Sequence, residues 1–317
     1  MLRFVPRASL DTARWDAFVT AAPQQIIYGY VWYLDAVCER WQALIQTNDA
    51  GDWTAVFAVP LRRKYGFWVV HQPLFCQFLP VFTQPDQTEN AAFELFWEAI
   101  KKQFWYVSIL TVPHWAGSGG LALTEKNTNF VLSLKDKYPQ IKANYSADRK
   151  NNLAKGQKEN WQIIDSQDIE PLIGIFKTHH AHLMHNGVPD RAYAILRGLY
   201  AAAKNQNAAR LCYSLQAGKT EAGALFWQSG QRIIYIFNAA TARGRAGNAR
   251  TVILDEMFQK MSGQNLIFDF ESPPKPSVAE FYRSFGAMPE HYVSLRHSRF
   301  VVLEQVFRFV TRFIFPK

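Results

Sequence analysis

Two carboxylates, Asp269 and Glu271, stand two residues apart in LIFDFES (266–272), and past a proline-rich elbow Tyr282 follows in VAEFYRSFGA (278–287). Residues two apart on a strand point to one face, so the spacing predicts that the carboxylates share a side. If that side lines a cleft, burial or mutual repulsion raises one carboxylate's affinity for a proton and makes it a general base. The plainer reading is a strand end that hydrogen-bonds the elbow at 272–277. Tyr282 shares a helix face with Phe281 and Phe285, where a phenol serves either as an acid or as core with a hydrogen-bonded tip. A base and an acid brought together in this way are the parts of general acid–base chemistry.

Upstream, NAATARGRAGNAR (238–250) runs from a strand into a helix. The start of that helix offers unpaired N–H groups, and Arg243, Arg245, Gly247, Asn248, Ala249 and Arg250 around it form a candidate grip for the phosphates of a donor; the alternative is a solvated basic loop. A second basic element, SADRKNNLAKGQKENWQI (146–163), carries Arg149, Lys150, Lys155 and Lys158. It is read either as a clamp on a diphosphate or RNA backbone, with Arg149 and Lys150 as the contacts, or as a solvated face. His179, His180, His182 and His185 lie close together, but no HExxH pattern accompanies them, so no metal site is expected and His182 is kept as a candidate substrate contact.

The elements that must position these residues alternate along the chain. Helical spacing appears near Trp15 to Val19 and Trp32 to Trp41, and strands are expected at 43–47 and 53–61. A helix at 90–104, a strand at 107–112, a Gly-rich loop at 117–120 and a strand at 129–134 follow. The second half predicts a long helix over 141–159, a strand at 161–164, and helices at 169–184 and 191–204. It continues with a meander at 210–216, 223–228 and 233–238, a helix at 250–261, strands at 266–270 and 291–296, and between them a helix at 278–285 that ends at Gly286. The halves share element order without readable sequence identity, which predicts a structural duplication.

The chain has 317 residues, 49% of them hydrophobic and 15% aromatic. That is enough for two cores and excludes a disordered chain. A net charge of +9 favours anionic partners. Three scattered cysteines fit a reducing compartment, with no disulfide-linked partner and no CxxC zinc site. No secretory signal is read at the start and no spanning segment anywhere, so the expected location is the cytoplasm, including the inner face of the membrane. The apolar tail 300–317, with Arg308, Arg312 and Lys317, is expected to return to the first domain or to lie on an anionic membrane surface.

FYRSFGA resembles the late "FYxxxGF" element of the GNAT acyltransferases, and 238–250 resembles that family's pyrophosphate loop, with Gly247 and Ala249 at its small positions and Gly244 where the family has Gln or Arg. The basic helix followed by a strand at 146–163 is similar to the opening of the second domain of Fem-type transferases, which are tandem GNAT folds. The resemblance implies an α/β protein of two GNAT-like domains, 1–137 and 138–299, with mixed, mainly antiparallel sheets flanked by helices. It implies transfer of an acyl or aminoacyl group from acyl-CoA or aminoacyl-tRNA, as a substrate rather than a tightly bound cofactor, to an amine, as in cell-envelope synthesis. Two other readings stand beside it: a noncatalytic module that binds RNA or a phosphorylated ligand, and a peripheral membrane enzyme acting on lipid-linked sugars.

Overall fold

The computed structural model describes residues 1–64, 66–87, 89–112, 123–184, 187–271 and 275–299. The Gly-rich loop at 117–120, His185, part of the elbow after Glu271 and the tail 300–317 lie outside them. The chain forms two compact units that are not consecutive lengths of sequence. The first takes Met1–Gln24, Cys38–Lys126 and the chain from Tyr292 on; the second takes Gln25–Val37 and Asn127–His291. The single division expected near residue 137 falls between a strand and the helix that follows it.

In chain order the elements are β1 (Leu2–Pro6), α1 (Thr12–Ala21), α2 (Val31–Val37), β2 (Arg40–Thr47), β3 (Trp53–Lys64), β4 (Phe67–His71), β5 (Phe82–Thr83), α3 (Glu89–Gln103), β6 (Tyr106–Thr111) and β7 (Leu123–Ser133). Then come α4 (Tyr138–Ala143), α5 (Ala147–Gln157), β8 (Gln162–Ser166), α6 (Glu170–His179), α7 (Asp190–Asn205), β9 (Ala209–Gln216), β10 (Lys219–Ser229) and β11 (Arg232–Ala240). The chain closes with α8 (Ala242–Ala246), α9 (Ala249–Met261), β12 (Ile267–Asp269), α10 (Pro276–Arg283) and β13 (Met288–Ser298). No helix among the described residues is long and apolar enough to cross a membrane.

In the first unit the strand order is β1-β2-β3-β4-β6-β13, with β5 on β3. The β2–β3 turn is closed by Asn48, whose Oδ1 accepts the Asp52 N–H at 2.8 Å, and by Gly51 at φ 87°. β3 is buried from Trp53 to Leu61 and becomes exposed at Arg62, where the apolar run ends. Helix α3 buries Phe93, Phe96, Trp97 and Ile100, the i, i+3, i+4, i+7 stripe of a core-facing helix.

The second unit repeats this order as β8-β9-β10-β11-β12-β7. In each unit three antiparallel pairings lead to one parallel pair, β4 with β6 and β11 with β12, and a last antiparallel strand follows. The duplication expected from element order is therefore present in the pairing.

The helix expected over 141–159 is two helices. Ser146 is a strong N-cap signal, and its Oγ accepts the Arg149 N–H at 3.1 Å while its own N–H goes to the Ser284 carbonyl at 2.9 Å. The aromatic core gathers Phe258, Phe268, Phe270, Tyr282 and Phe285 in mostly edge-to-face contacts. Gly286 ends the α10 segment at φ 81°, and a Cβ there would stand 2.8 Å from the Asn144 Cβ. Gly286→Ala therefore meets both a left-handed backbone and a close neighbour, and should lower unfolding free energy by roughly 1–3 kcal/mol in thermal or urea denaturation.

Candidate functional site

In the second unit β11 and β12 pair over only three residues, Arg232–Ile234 with Ile267–Asp269. Among the described residues β11 runs on to Ala240 beside β10 alone, and Ile236, Phe237 and Asn238 are only half-buried there. Within this stretch β11 carries a bulge: Phe226 faces Tyr235 and the adjacent Leu225 faces Phe237, so Ile236 is the extra residue. The inserted residue reverses the alternation, and Asn238 therefore shares the face of Tyr235 rather than opposing it.

Four polar side chains collect where the strands part. Arg250, in the first turn of α9, donates from Nη1 to Asn238 Oδ1 at 2.7 Å. The Tyr282 hydroxyl hydrogen-bonds Asn238 as well, and its ring stacks on Phe270 with centroids 4.5 Å apart. Burial, opposed by the Arg250 charge, pushes the Tyr282 phenol up to about 12, so it keeps its proton. The Tyr235 hydroxyl, on a residue 2% exposed, faces the Arg250 guanidinium. Asn248, the residue before α9, is left-handed (φ 57°) and its side chain caps nothing, so the first N–H groups of α9 have no side-chain partner from it.

The carboxylates do not share a face. β12 ends at Asp269, and Glu271 sits at φ 45°, which breaks strand alternation. Asp269, 0% exposed, accepts from Asn129 Nδ2 (2.7 Å) and the Glu271 N–H (2.8 Å) on one oxygen and from Arg232 Nη1 (2.5 Å) on the other. Arg232 also grips Glu290 through two bonds of 2.8 and 2.9 Å. Burial works against the Arg232 cation, but the bonds and charges of Glu290 and Asp269 outweigh it and raise its pKa. With both oxygens engaged, Asp269 is held by the fold and is not free to act as the expected base, although burial, against the Arg232 charge, raises its pKa too. Glu271 instead accepts from the Tyr28 hydroxyl at 3.2 Å, and burial, then the neighbouring Asp269, raise its pKa well above the usual carboxylate range.

The phosphate-loop expectation divides. Residues 242–246 are a short helix whose turns use their own N–H groups: Gly244 to Thr241 Oγ1, Arg245 to the Thr241 carbonyl, Gly247 to Arg243 and Asn248 to Arg245. Gly244 is glycine because a Cβ would stand 2.1 Å from the Glu221 carbonyl oxygen, which also leaves no room for the family's Gln or Arg. Gly247 is held against Trp161, whose Nε1 donates to its carbonyl at 2.8 Å. Arg243 is paired with Glu159 and Gln216, and Arg245 donates to the Ala240 carbonyl at 2.9 Å. Of the three arginines only Arg250 reaches the cluster.

Arg149 is the clearest correction. It is 6% exposed, donates to Ser284 Oγ (2.9 Å) and Thr251 Oγ1 (2.6 Å), and lies over the rings of Phe281 and Phe285 at 4.3 and 4.5 Å. It clamps α5 to α9 and α10 and cannot also hold a diphosphate; burial lowers its pKa to about 10. Lys150 is exposed and donates to the Ala143 carbonyl at 2.8 Å, and His182 is exposed on a 3-10 turn. Its neighbour His180 is the engaged histidine: Nε2 lies 3.0 Å from the Ala240 oxygen and 3.1 Å from the Ala240 nitrogen, and the ring stacks on Phe176. Among the described residues no three His, Cys, Asp or Glu side chains converge as a metal site.

Sequence reasoning missed Asn238, Tyr235 and Tyr28. Asn238 carried a signal, a lone amide in the apolar run IIYIFNAA; Tyr28 carried none, since only the tertiary fold brings it to Glu271. In the first unit the matching strands also part, after Val70–His71 pairs with Val107–Ser108. There the chain fills the opening itself: Gln72 Oε1 accepts the Leu110 N–H (3.0 Å), Gln72 Nε2 donates to the Cys76 carbonyl (2.7 Å), and the Leu79 N–H reaches the Leu110 carbonyl (2.8 Å).

No family model and no curated protein sequence matches the chain. Solved structures match its fold. FemX aligns with a TM-score of 0.65 at 9% identity, covering 90% of this chain and 96% of FemX. L-PGS from Bacillus licheniformis aligns at 0.54 and 11%, covering 95% and 96%. A tandem GNAT protein from the clavulanic acid biosynthesis pathway aligns at 0.51 and 10%, covering 93% and 98%. The fold is thus the tandem GNAT fold, as the resemblance in sequence implied.

Two predictions follow from the charges. Arg232→Gln leaves Asp269 and Glu290 uncompensated and should cost about 3–5 kcal/mol of stability, measured by urea unfolding. Burial, against its Ala240 bond and with help from Arg250 and Arg245, holds the folded pKa of His180 below its ordinary 6.5. The unfolded chain then takes up the proton first as pH falls, so stability present above that value is lost as pH drops through it. His180→Gln should make the midpoint of unfolding less sensitive to pH in that window.

Proposed function

We propose that this chain is an N-acyltransferase or aminoacyltransferase that works in the opening between β11 and β12 of its second unit. The observation that carries the reading is the meeting of Asn238, Arg250 and Tyr282 where those strands stop pairing. A thioester or ester donor carries phosphate, and Arg250 with the uncapped start of α9 supplies a cation and N–H groups suited to it. Its acyl carbon is attacked by the acceptor amine: a C–N bond forms, the C–S or C–O bond breaks, and the leaving group takes a proton. Tyr282, which holds its proton at neutral pH, is suited to deliver it. Glu271, with its raised pKa, is suited to take the proton that the amine sheds. Asn238 is a positioning residue, holding the Arg250 guanidinium and the Tyr282 hydroxyl together.

The first unit does not offer the same opening, because Gln72 and the residues to Leu79 occupy the corresponding strand edge. This supports a single reaction site, in the second unit. Of the basic helix, Arg149 is internal and only Lys150, Lys155 and Lys158 are exposed, which favours transfer over the RNA-binding reading.

The test is transfer by the full chain from a panel of acyl-CoAs and of aminoacyl-tRNAs to amine acceptors, followed by mass spectrometry. With the productive pair, Tyr282→Phe should lower kcat by about 100-fold or more with little change in the KM of the donor, and Asn238→Ala should affect both. Absence of transfer from either donor class by folded protein, or full rates in both Tyr282→Phe and Glu271→Gln, would overturn the reading.

A further inference from the structure

A feature of the first unit takes no part in the proposed chemistry. The hairpin of β3 and β4 carries RRKYGFW (62–68) at its turn: three cations, then three aromatics about Gly66. Arg62, Arg63 and Lys64 are exposed, and Phe67 is 60% exposed although it is a large apolar ring in a strand. Register places Arg62 opposite Val69 and Lys64 opposite Phe67, so Arg62, Lys64, Phe67 and His71 lie on one face of the sheet. β6 and β13 extend that face. Lys64 stands over the Tyr106 ring at 5.2 Å and Arg296 over the same ring at 5.5 Å, while Phe67 meets Trp105 edge-on at 5.7 Å. Nearby, Arg299 donates to the Lys101 and Lys102 carbonyls, which ties down the end of the described chain. Arg62 and Lys64 add to burial in holding the pKa of His71 down, a sign of a crowded positive field.

We propose that this hairpin face is a docking surface for an anionic phospholipid bilayer. Cations with interleaved Trp, Tyr and Phe are the composition that fits the headgroup layer, where amphipathic rings settle and basic side chains meet lipid phosphates. A single-stranded nucleic acid would also meet cations and rings, but it needs open ring faces to stack on. Here the Tyr106 face is met by two cations and Phe67 meets Trp105 at 81°, so the rings form no flat platform. The sequence beyond Arg299, FVVLEQVFRFVTRFIFPK, is apolar with Arg308, Arg312 and Lys317 among it. The surface does not depend on the acyl-transfer reading, since its residues are in the first unit and its test reads no turnover.

The experiment is flotation of the full chain with vesicles of phosphatidylcholine alone and with a third of the lipid replaced by phosphatidylglycerol. The protein should float with the anionic vesicles only, and should release as sodium chloride rises from about 0.1 to about 0.5 M, because the screening length shrinks. Arg62→Glu/Lys64→Glu should weaken vesicle binding by tenfold or more, at roughly a factor of five per cation lost. Phe67→Ser should weaken it several-fold, while Lys204→Glu/Lys219→Glu, a reversal in the second unit, should not. All four positions of the two double variants are exposed, and unchanged thermal unfolding verifies that the variants fold. Wild-type protein that ignores anionic vesicles, or hairpin variants that float as well as wild type, would overturn the proposal. So would binding to RNA without binding to vesicles, or a loss on charge reversal that Phe67→Ser does not share, since a partner read by charge alone is indifferent to the ring.

Discussion

Three residue pairs hold β11 to β12, and everything distinctive in the second unit follows from the ladder stopping there. A central strand that loses one neighbour must either be covered or leave an opening, because its side chains and its free edge have been prepared for burial. β11 keeps β10 to its end, so its course stays fixed while its other edge opens. The bulge at Ile236 turns Asn238 toward Tyr235, and an amide is thereby delivered into an otherwise apolar wall. Arg250 and Tyr282 come to that amide from two different helices, each set in place by the aromatic core beneath.

The buried polar groups of this unit fall into two physical states. In the first, a buried ionisable group is closed on its partners: Arg232 between Asp269 and Glu290, Asp255 accepting from Tyr138 and Tyr145, Arg149 on two hydroxyls and two rings. A buried charge without such partners costs several kcal/mol, so these groups are consumed in holding the fold. In the second state are Glu271, Tyr282, Tyr235 and Arg250, which meet in a small polar cluster: a carboxyl raised by burial, a phenol that keeps its proton, a second hydroxyl and a cation. The distinction separates Asp269 from Glu271 although they are two residues apart.

The two units show one pairing scheme put to different ends. Where the β11–β12 ladder stops, the polar side chains around Asn238 collect; where the β4–β6 ladder stops, Gln72 and the chain to Leu79 replace the missing ladder bonds with side-chain and loop bonds. The first unit has instead a hairpin whose cations and Phe67 ring are turned outward. Duplicated architecture thus need not duplicate chemistry, because what a strand pair offers depends on the few residues that follow it.

Much of the element order was legible in the residues: the meander, α9, the aromatic helix and the left-handed Gly286 follow from periodicity and turn chemistry, which act over a few positions. Tyr282 and Arg250 were legible too, since both sit in motifs with fixed offsets. The split between α4 and α5, the strands β1 and β4 and the short α8 were not read, although Ser146 signalled the first. Sequence could not tell that Arg149 is internal while Lys150, its neighbour, is exposed, because a helix face is defined by what packs on it and here that is α9 and α10. Nor could it bring Tyr28 to Glu271 or part the two carboxylates: these depend on non-local packing and on one left-handed residue ending a strand. Local periodicity, then, decided which elements form; burial against distant partners decided which charges are spent on holding the fold and which gather around Asn238.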